Sequence, residues 1–330
     1  MVIYLGPGRL VAAAALTRLP RAPRTLPPTK NASLLPIPHH LLYFEPTKPQ
    51  RDLLPDGTNP DQSPGDPFVR RMWAGGSVLY NHASPLYMDN RRGVCAEYIR
   101  SVSVKGKPGE EKVFVGIERR LAYLSDSEHS ALATTAPDDE AAIEKVEDAI
   151  RTRLWRDDSA DFGDASVVET RNIVFMYARS EAEVARVREA IAKGEKLPGK
   201  ILKPSQPASF FDTTITPNEK LLFRFSALTF NAHAIHLDPS YCREVEGHRD
   251  LLFHGPMSFT FMVVLLQKAI AEAGAKERIA SVEYRNLAPL YCHEPIRFCG
   301  HKTAEGRYEV WVETPEGGVA VKGNVRTEKY

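Results

Sequence analysis

GPMSFTFMVVLLQKAIAEA, residues 255–273, is an apolar run that opens on Gly-Pro and closes before Gly274. Proline just inside a helix start and glycine just past its end are helix punctuation. The stretch FMVVLL, residues 261–266, has no polar residue, so the helix has no wet face and belongs in a core. It stops at Gln267-Lys268, well short of the about 20 apolar residues that span a bilayer, and no membrane association is expected. Downstream, residues 280–286, 295–301, 308–313 and 318–327 are strand-like, with Glu305-Gly306 and Glu316-Gly317-Gly318 as turns. One long apolar helix followed by antiparallel strands implies a sheet wrapped around that helix.

Working upstream, residues 239–246 form a short helix with proline at its start, preceded by a His-rich loop, residues 231–238, and an apolar, strand-like segment, residues 221–230. Residues 197–217 hold four prolines and little periodicity, and are expected to link two domains. Before them, residues 180–193 make an amphipathic helix with Ser180 and Glu183 in a capping box and Val184, Val187 and Ile191 on one face. Residues 138–155 are acid-rich with helical spacing, either a surface helix or an insertion. Residues 77–80, 95–104, 112–124 and 167–177 are strand-like, with a Pro-Gly turn inside 106–111. Residues 46–67 are rich in Pro, Gly, Asp and Asn and form a loop or arm.

With 330 residues the chain is comfortable for two domains. A formal net charge of +1 gives no case for nucleic-acid binding. Cys95, Cys242, Cys292 and Cys299 form no Cys-x-x-Cys pair and are read as reduced, small apolar residues. Residues 1–44 contain no Asp or Glu but do contain Arg9, Arg18, Arg21, Arg24 and Lys30, the pattern of a mitochondrial presequence and hence a matrix location. A secretory signal and a basic tail are the alternatives. GPGRL near Gly6 lacks the rest of a nucleotide-binding pattern.

FSALTFNAHAIHLD, residues 225–238, with EGHRDLLFHGP, residues 246–256, resembles the hydratase signature of the MaoC-like family, above all its fungal mitochondrial type 2 hydroxyacyl-thioester dehydratases. The mesaconyl-CoA hydratases share that signature. RRMWAGGSVLY, residues 70–80, resembles the family's N-terminal domain more weakly. The resemblance implies an α+β double hot-dog, two antiparallel sheets each wrapped around a long central helix. It divides the chain into a presequence (1–30), an arm (31–67), a non-catalytic N-terminal hot-dog domain (68–196), a linker (197–217) and a C-terminal domain carrying the hydratase signature (218–330).

It also implies a chemistry. The α-proton of a thioester is weakly acidic and must meet a base in a dry pocket, the leaving hydroxyl must be protonated, and the enolate oxygen needs a fixed donor. The family histidine falls on His236, the family aspartate on Asn231, the family asparagine on His233, and the oxyanion glycine on Gly255, with His254 before it as a further substrate contact. An amide is no base, so Asn231 is expected to hold water or the 3-hydroxyl while His236 moves the proton and His233 is a second titrating group. His233 and His236 could instead bind zinc, but zinc needs further ligands and only Asp238 and His254 are at hand; no metal and no cofactor are expected. Met257, Phe259, Phe261 and Met262 are read as core rather than an acyl tunnel. Asp250 and Glu246 are expected to orient the loop or face solvent, and Trp73, Gly75 and Gly76 to be structural.

The implied activity is reversible dehydration of a 3-hydroxyacyl thioester in mitochondrial type II fatty-acid synthesis, on acyl carrier protein or coenzyme A, with homodimerisation open. The alternatives are a mesaconyl-CoA-like hydratase for short or dicarboxylic acyl-CoA, and a non-catalytic hot-dog protein that binds acyl thioesters.

Overall fold

Strand pairing organises the chain. In the computed structural model, which describes residues 2–4, 33–136, 138–195 and 202–330, the strands are β1 Val2–Tyr4, β2 Arg70–Tyr80, β3 Arg92–Lys105, β4 Lys112–Tyr123, β5 Val167–Met176, β6 Phe211–Ile215, β7 Glu277–Asn286, β8 Ile296–Ala304, β9 Arg307–Glu313 and β10 Val319–Lys329. They form one antiparallel sheet in the order β1-β3-β4-β5-β2-β7-β10-β9-β8-β6. The two halves of the chain meet where β2 pairs with β7, Gly75 opposite Arg285 through Leu79 opposite Ser281. A Cβ at Gly75, whose φ is +139°, would sit 2.2 Å from the Tyr284 carbonyl oxygen, so only glycine allows this approach. Apart from Val2–Tyr4, the expected presequence lies outside the described residues, as do residues 197–201 of the expected linker. Within the rest of that linker, Phe211–Ile215 pair with β8 as an edge strand.

The helices are α1 Asp126–Thr134, α2 Glu140–Leu154, α3 Glu181–Ala192, α4 Glu219–Leu228, α5 Pro239–Glu244 and α6 Gly255–Glu272. As its sequence requires, α6 is buried nearly all round and packs against β6, β7, β8 and β9. Burying such a helix removes its Leu, Phe and Met side chains from water at roughly 1.5–3 kcal/mol each. Ser180 and Glu183 make the capping box of α3, which buries Val184 and Val187. Residues 140–154 form α2, with Ile150 and Leu154 packed on Val94 and Ala96 of β3.

Two expectations are corrected. The strands make one continuous sheet rather than two, and among the described residues only the second half carries a long central helix. In the first half, Leu41 and Leu42 of the buried 3-10 turn His39–Leu42 join the core that surrounds α6. Residues 221–230, read as a strand, begin within α4: the Asn218 side chain accepts from the Leu221 N–H, and Leu222, Phe225 and Ser226 are buried on one helical face. A short apolar run does not separate helix from strand by period, and the cap decides it here.

In the first half β4 buries consecutive charges. Arg119 pairs with Glu45 and Glu169, while Arg120 pairs with Glu118, which also binds Arg100. The arginines hold the Glu169 carboxyl at about 2 against its burial. The four cysteines are buried and form no disulfide. No described helix is long and apolar enough to cross a membrane.

Candidate functional site

The end of α4, the loop after it, and the start of α6 line one cavity of about 960 Å³. The loop is built by local bonds. Phe230 adopts a positive φ of 49°, which turns the chain out of α4. The Asn231 side-chain oxygen accepts from the His233 N–H at 3.1 Å, and a 3-10 turn, Ala234–His236, carries His236 back to the wall. Asp238 caps α5 by accepting from the N–H groups of Ser240 and Tyr241.

Asn231, His233, His236 and Gly255 all line the cavity. His254 does not reach it. It is fully buried behind His236, with the two rings stacked at 3.6 Å and 19° between planes, and its Nε2 lies 2.9 Å from Ser226 Oγ. The His236 Nδ1 lies 2.8 Å from the Leu252 carbonyl oxygen. A carbonyl only accepts, so Nδ1 carries the hydrogen and the lone pair is on Nε2. Burial lowers the pKa of His236 to about 4, and burial also pushes His233 and His254 well below the ordinary histidine value. All three are therefore neutral imidazoles at neutral pH. Gly255 opens α6, whose dipole and unpaired N–H groups favour developing negative charge.

The sequence reading leaves other residues on or beside the wall outside the site, with Trp73 as structural and Glu246 as orienting the loop or facing solvent. Trp73 and Asn286 face each other through an Asn286 Nδ2 to Trp73 carbonyl bond of 2.7 Å, and the buried Asn286 Oδ1 has no partner among the described residues. Arg71 donates from Nη1 to the Asn59 carbonyl at 2.9 Å, while its buried Nε has no partner. Arg70 pairs with Glu246 at 2.5 Å, which gives that glutamate its place. Asp56, from the arm, lies 3.4 Å from His233 Nε2. The Pro-Asp-Gly-Thr turn around it was visible in the sequence, but nothing there tied it to the loop. Glu219, Cys292 and His293 bring metal-type ligand atoms within 4.8 Å of one another, but none of them lines this cavity, and the His293 nitrogens already face Glu219 and Asp250.

Comparison with known proteins bears on what such a site does. The chain matches the family described as hydroxyacyl-thioester dehydratase type 2 over residues 38–153 and 139–292. It is 28% identical to the mesaconyl-C(4)-CoA hydratase of Chloroflexus aurantiacus over 96% of this chain and 90% of that one. It is 25% identical to the mitochondrial hydroxyacyl-thioester dehydratase type 2 of Schizosaccharomyces pombe, over 83% and 79%. The Saccharomyces cerevisiae protein of the same name is 28% identical over 84% and 80%. Among solved structures, a MaoC-like dehydratase from Phytophthora capsici superposes with a TM-score of 0.60 at 13% identity, covering 100% of this chain and 95% of that one; this likeness is one of fold.

Proposed function

Because the chain belongs to the hydroxyacyl-thioester dehydratase type 2 family, MaoC-like hot-dog hydro-lyases acting on acyl thioesters, we propose that it interconverts a 3-hydroxyacyl and a 2-enoyl thioester of mitochondrial type II fatty-acid synthesis, carried on acyl carrier protein. The observation that carries the mechanism is the commitment of His236 Nδ1–H to the Leu252 carbonyl, which leaves Nε2 bare on a wall shared with the start of α6. In dehydration, Nε2 takes the α-proton. The electron pair moves into the thioester carbonyl, whose oxygen accepts from the Gly255 N–H. The bond from C3 to oxygen then breaks, and the departing hydroxide takes the proton from His236 and leaves as water. Hydration is the reverse. Asn231 holds the 3-hydroxyl or the water, and His233 is the second titratable ring beside it.

We read the fold as a double hot-dog, with residues 68–196 and 218–330 as its units and 197–217 between them. The family is matched twice along the chain, over residues 38–153 and 139–292, which supports two units in one chain; the boundary at 197–217 rests on its proline content. Such an arrangement supplies within one chain the paired units this fold uses, and leaves dimerisation optional. The matrix location rests on the acid-free, arginine-containing start and on the two fungal relatives named as mitochondrial. A fluorescent reporter fused to residues 1–30 tests it, and a secreted or purely cytosolic reporter sinks it.

A second reading is favoured by one observation. The unpartnered Nε of Arg71 on the cavity wall suits a second carboxylate, as in a short dicarboxylic acyl-CoA. Hydration rates on crotonyl, long-chain enoyl and mesaconyl thioesters, each as coenzyme A and carrier-protein forms, decide between the two. Absence of turnover on all of them rejects both.

A further inference from the structure

We propose that Asp56, from the N-terminal arm, is a positioning residue that fixes the tautomer of His233 and so completes the acid–base site in place of the carboxylate missing at Asn231. The proposal rests on the hydratase reading and adds a residue from outside the sequence signature.

The arm is clasped to the loop. The Ala234 N–H donates to the Asp56 carbonyl at 2.8 Å. The turn that carries Asp56 is closed by the Gly57 N–H to Leu54 carbonyl bond at 2.8 Å and the Leu54 N–H to Thr58 carbonyl bond at 2.9 Å. Gly57 has a φ of +80°, and a Cβ there would lie 2.2 Å from the Ala232 carbonyl oxygen, so the backbones of arm and loop touch. The Asp56 carboxylate is divided between two tasks. Oδ1 accepts from the Thr58 N–H at 2.9 Å and the Thr58 hydroxyl at 2.6 Å. Oδ2 faces His233 Nε2 at 3.4 Å, with side chains only 10% and 7% exposed. That separation is a contact within ion-pair reach rather than a closed hydrogen bond, and the buried Nε2 has no other partner among the described residues.

A carboxylate accepts and does not donate, so the hydrogen of the neutral His233 ring belongs on Nε2, and the lone pair on Nδ1. His236 is held the opposite way, with hydrogen on Nδ1 and lone pair on Nε2. The two rings lie nearly perpendicular, centroids 5.8 Å apart, and each keeps one accepting nitrogen. A reacting water needs such an acceptor, and Asn231 spends its side-chain oxygen on the His233 N–H. The competing role for Asp56 is structural, as cap of the Thr58 turn and neighbour of Arg71, whose charge it favours.

Asp56→Asn separates the two roles. Its oxygen keeps both Thr58 bonds, while an N–H group now faces His233 Nε2 and demands a lone pair there. The expected result is a His233 proton moved from Nε2 to Nδ1, read by ¹⁵N NMR of the labelled ring. It is accompanied by a fall in kcat of about 10- to 100-fold, the scale for a lost orienting partner, with a KM changed less than about threefold. Adding Asn231→Asp to the same chain should recover at least about tenfold in kcat by returning a carboxylate to the pocket. A ring that keeps its proton on Nε2, or a kcat within about twofold of the parent, overturns the proposal. The NMR arm needs no turnover, so a chain that hydrates no thioester would defeat the functional reading and still test the tautomer.

Discussion

The His254 ring lies stacked under that of His236, 3.6 Å between centroids, with its own Nε2 tied to Ser226 Oγ on α4. The candidate base is thus held on both sides: the Leu252 carbonyl fixes its hydrogen, and a buried imidazole fixes its plane. Ser226→Ala removes the only hydrogen-bond partner the described residues offer the His254 ring, whose Nδ1 is already unpaired. It should cost about 1–3 kcal/mol of stability, the scale for a buried polar group left unsatisfied, and lower kcat along with it. Urea unfolding and steady-state kinetics on the same preparation measure both.

His236→Ala should lower kcat by about 100-fold or more, the scale for losing a general base. Asn231→Ala should cost less, and Asn231→Asp should be tolerated. If His233→Ala abolishes turnover while His236→Ala keeps it near normal, the roles assigned to the two rings are wrong.

Acid should weaken the fold in a defined window. Burial lowers His39, His40 and His236 to about 4 and His248 to about 3, from an ordinary value of 6.5. Between pH 6.5 and about 4 the unfolded chain binds protons that the folded chain refuses, so stability is full above 6.5 and falls as pH drops through the window. Each such histidine contributes at most about 1.4 kcal/mol per pH unit. The urea midpoint should therefore fall markedly from pH 7 to pH 5, whereas the acid limb of kcat/KM lies well below 6.5 for as long as the chain stays folded. A midpoint flat across that range would contradict neutral buried imidazoles.

Glu169→Gln should destabilise strongly. The carboxylate is 1% exposed and bonds both Arg119 and Arg171, which would keep their buried charges without it. About 3–5 kcal/mol is the scale for removing one member of a buried pair. Glu45 also contacts both arginines and should hold the cost toward the lower end. A loss under about 1 kcal/mol in urea would mean that Glu45 alone balances them.

What the sequence made legible was local. The fully apolar face of α6 and the β-branched strands after it announce themselves over short spans, and His233, His236 and Gly255 share the cavity because their loop and helix start are nearly contiguous. Residues 221–230 misled because Phe223, Arg224, Phe225 and Ser226 alternate as a strand would, over too short a span to reveal the helical face, and the Asn218 cap lies outside it. His254 looked like a substrate contact from its place beside Gly255, but the backbone turn into α6 sends its ring to Ser226. Asp56 was beyond reach, since a turn in the arm has no sequence relation to the loop it clasps. The continuous sheet was hidden for the same reason: Gly75 and Arg285 are ladder partners with no signal linking them.

That ladder constrains how the chain can be taken apart. Five residue pairs, from Gly75–Arg285 to Leu79–Ser281, run along a seam where β2 and β7 each have another strand on their far side. Severing the polypeptide between residues 197 and 217 and producing the pieces separately would give each piece a raw, hydrogen-bond-hungry border where it now has a neighbour. Such borders recruit whatever strand is nearest, including copies of themselves. The halves should therefore precipitate when made alone and stay in solution when made together, with the seam acting as each one's chaperone.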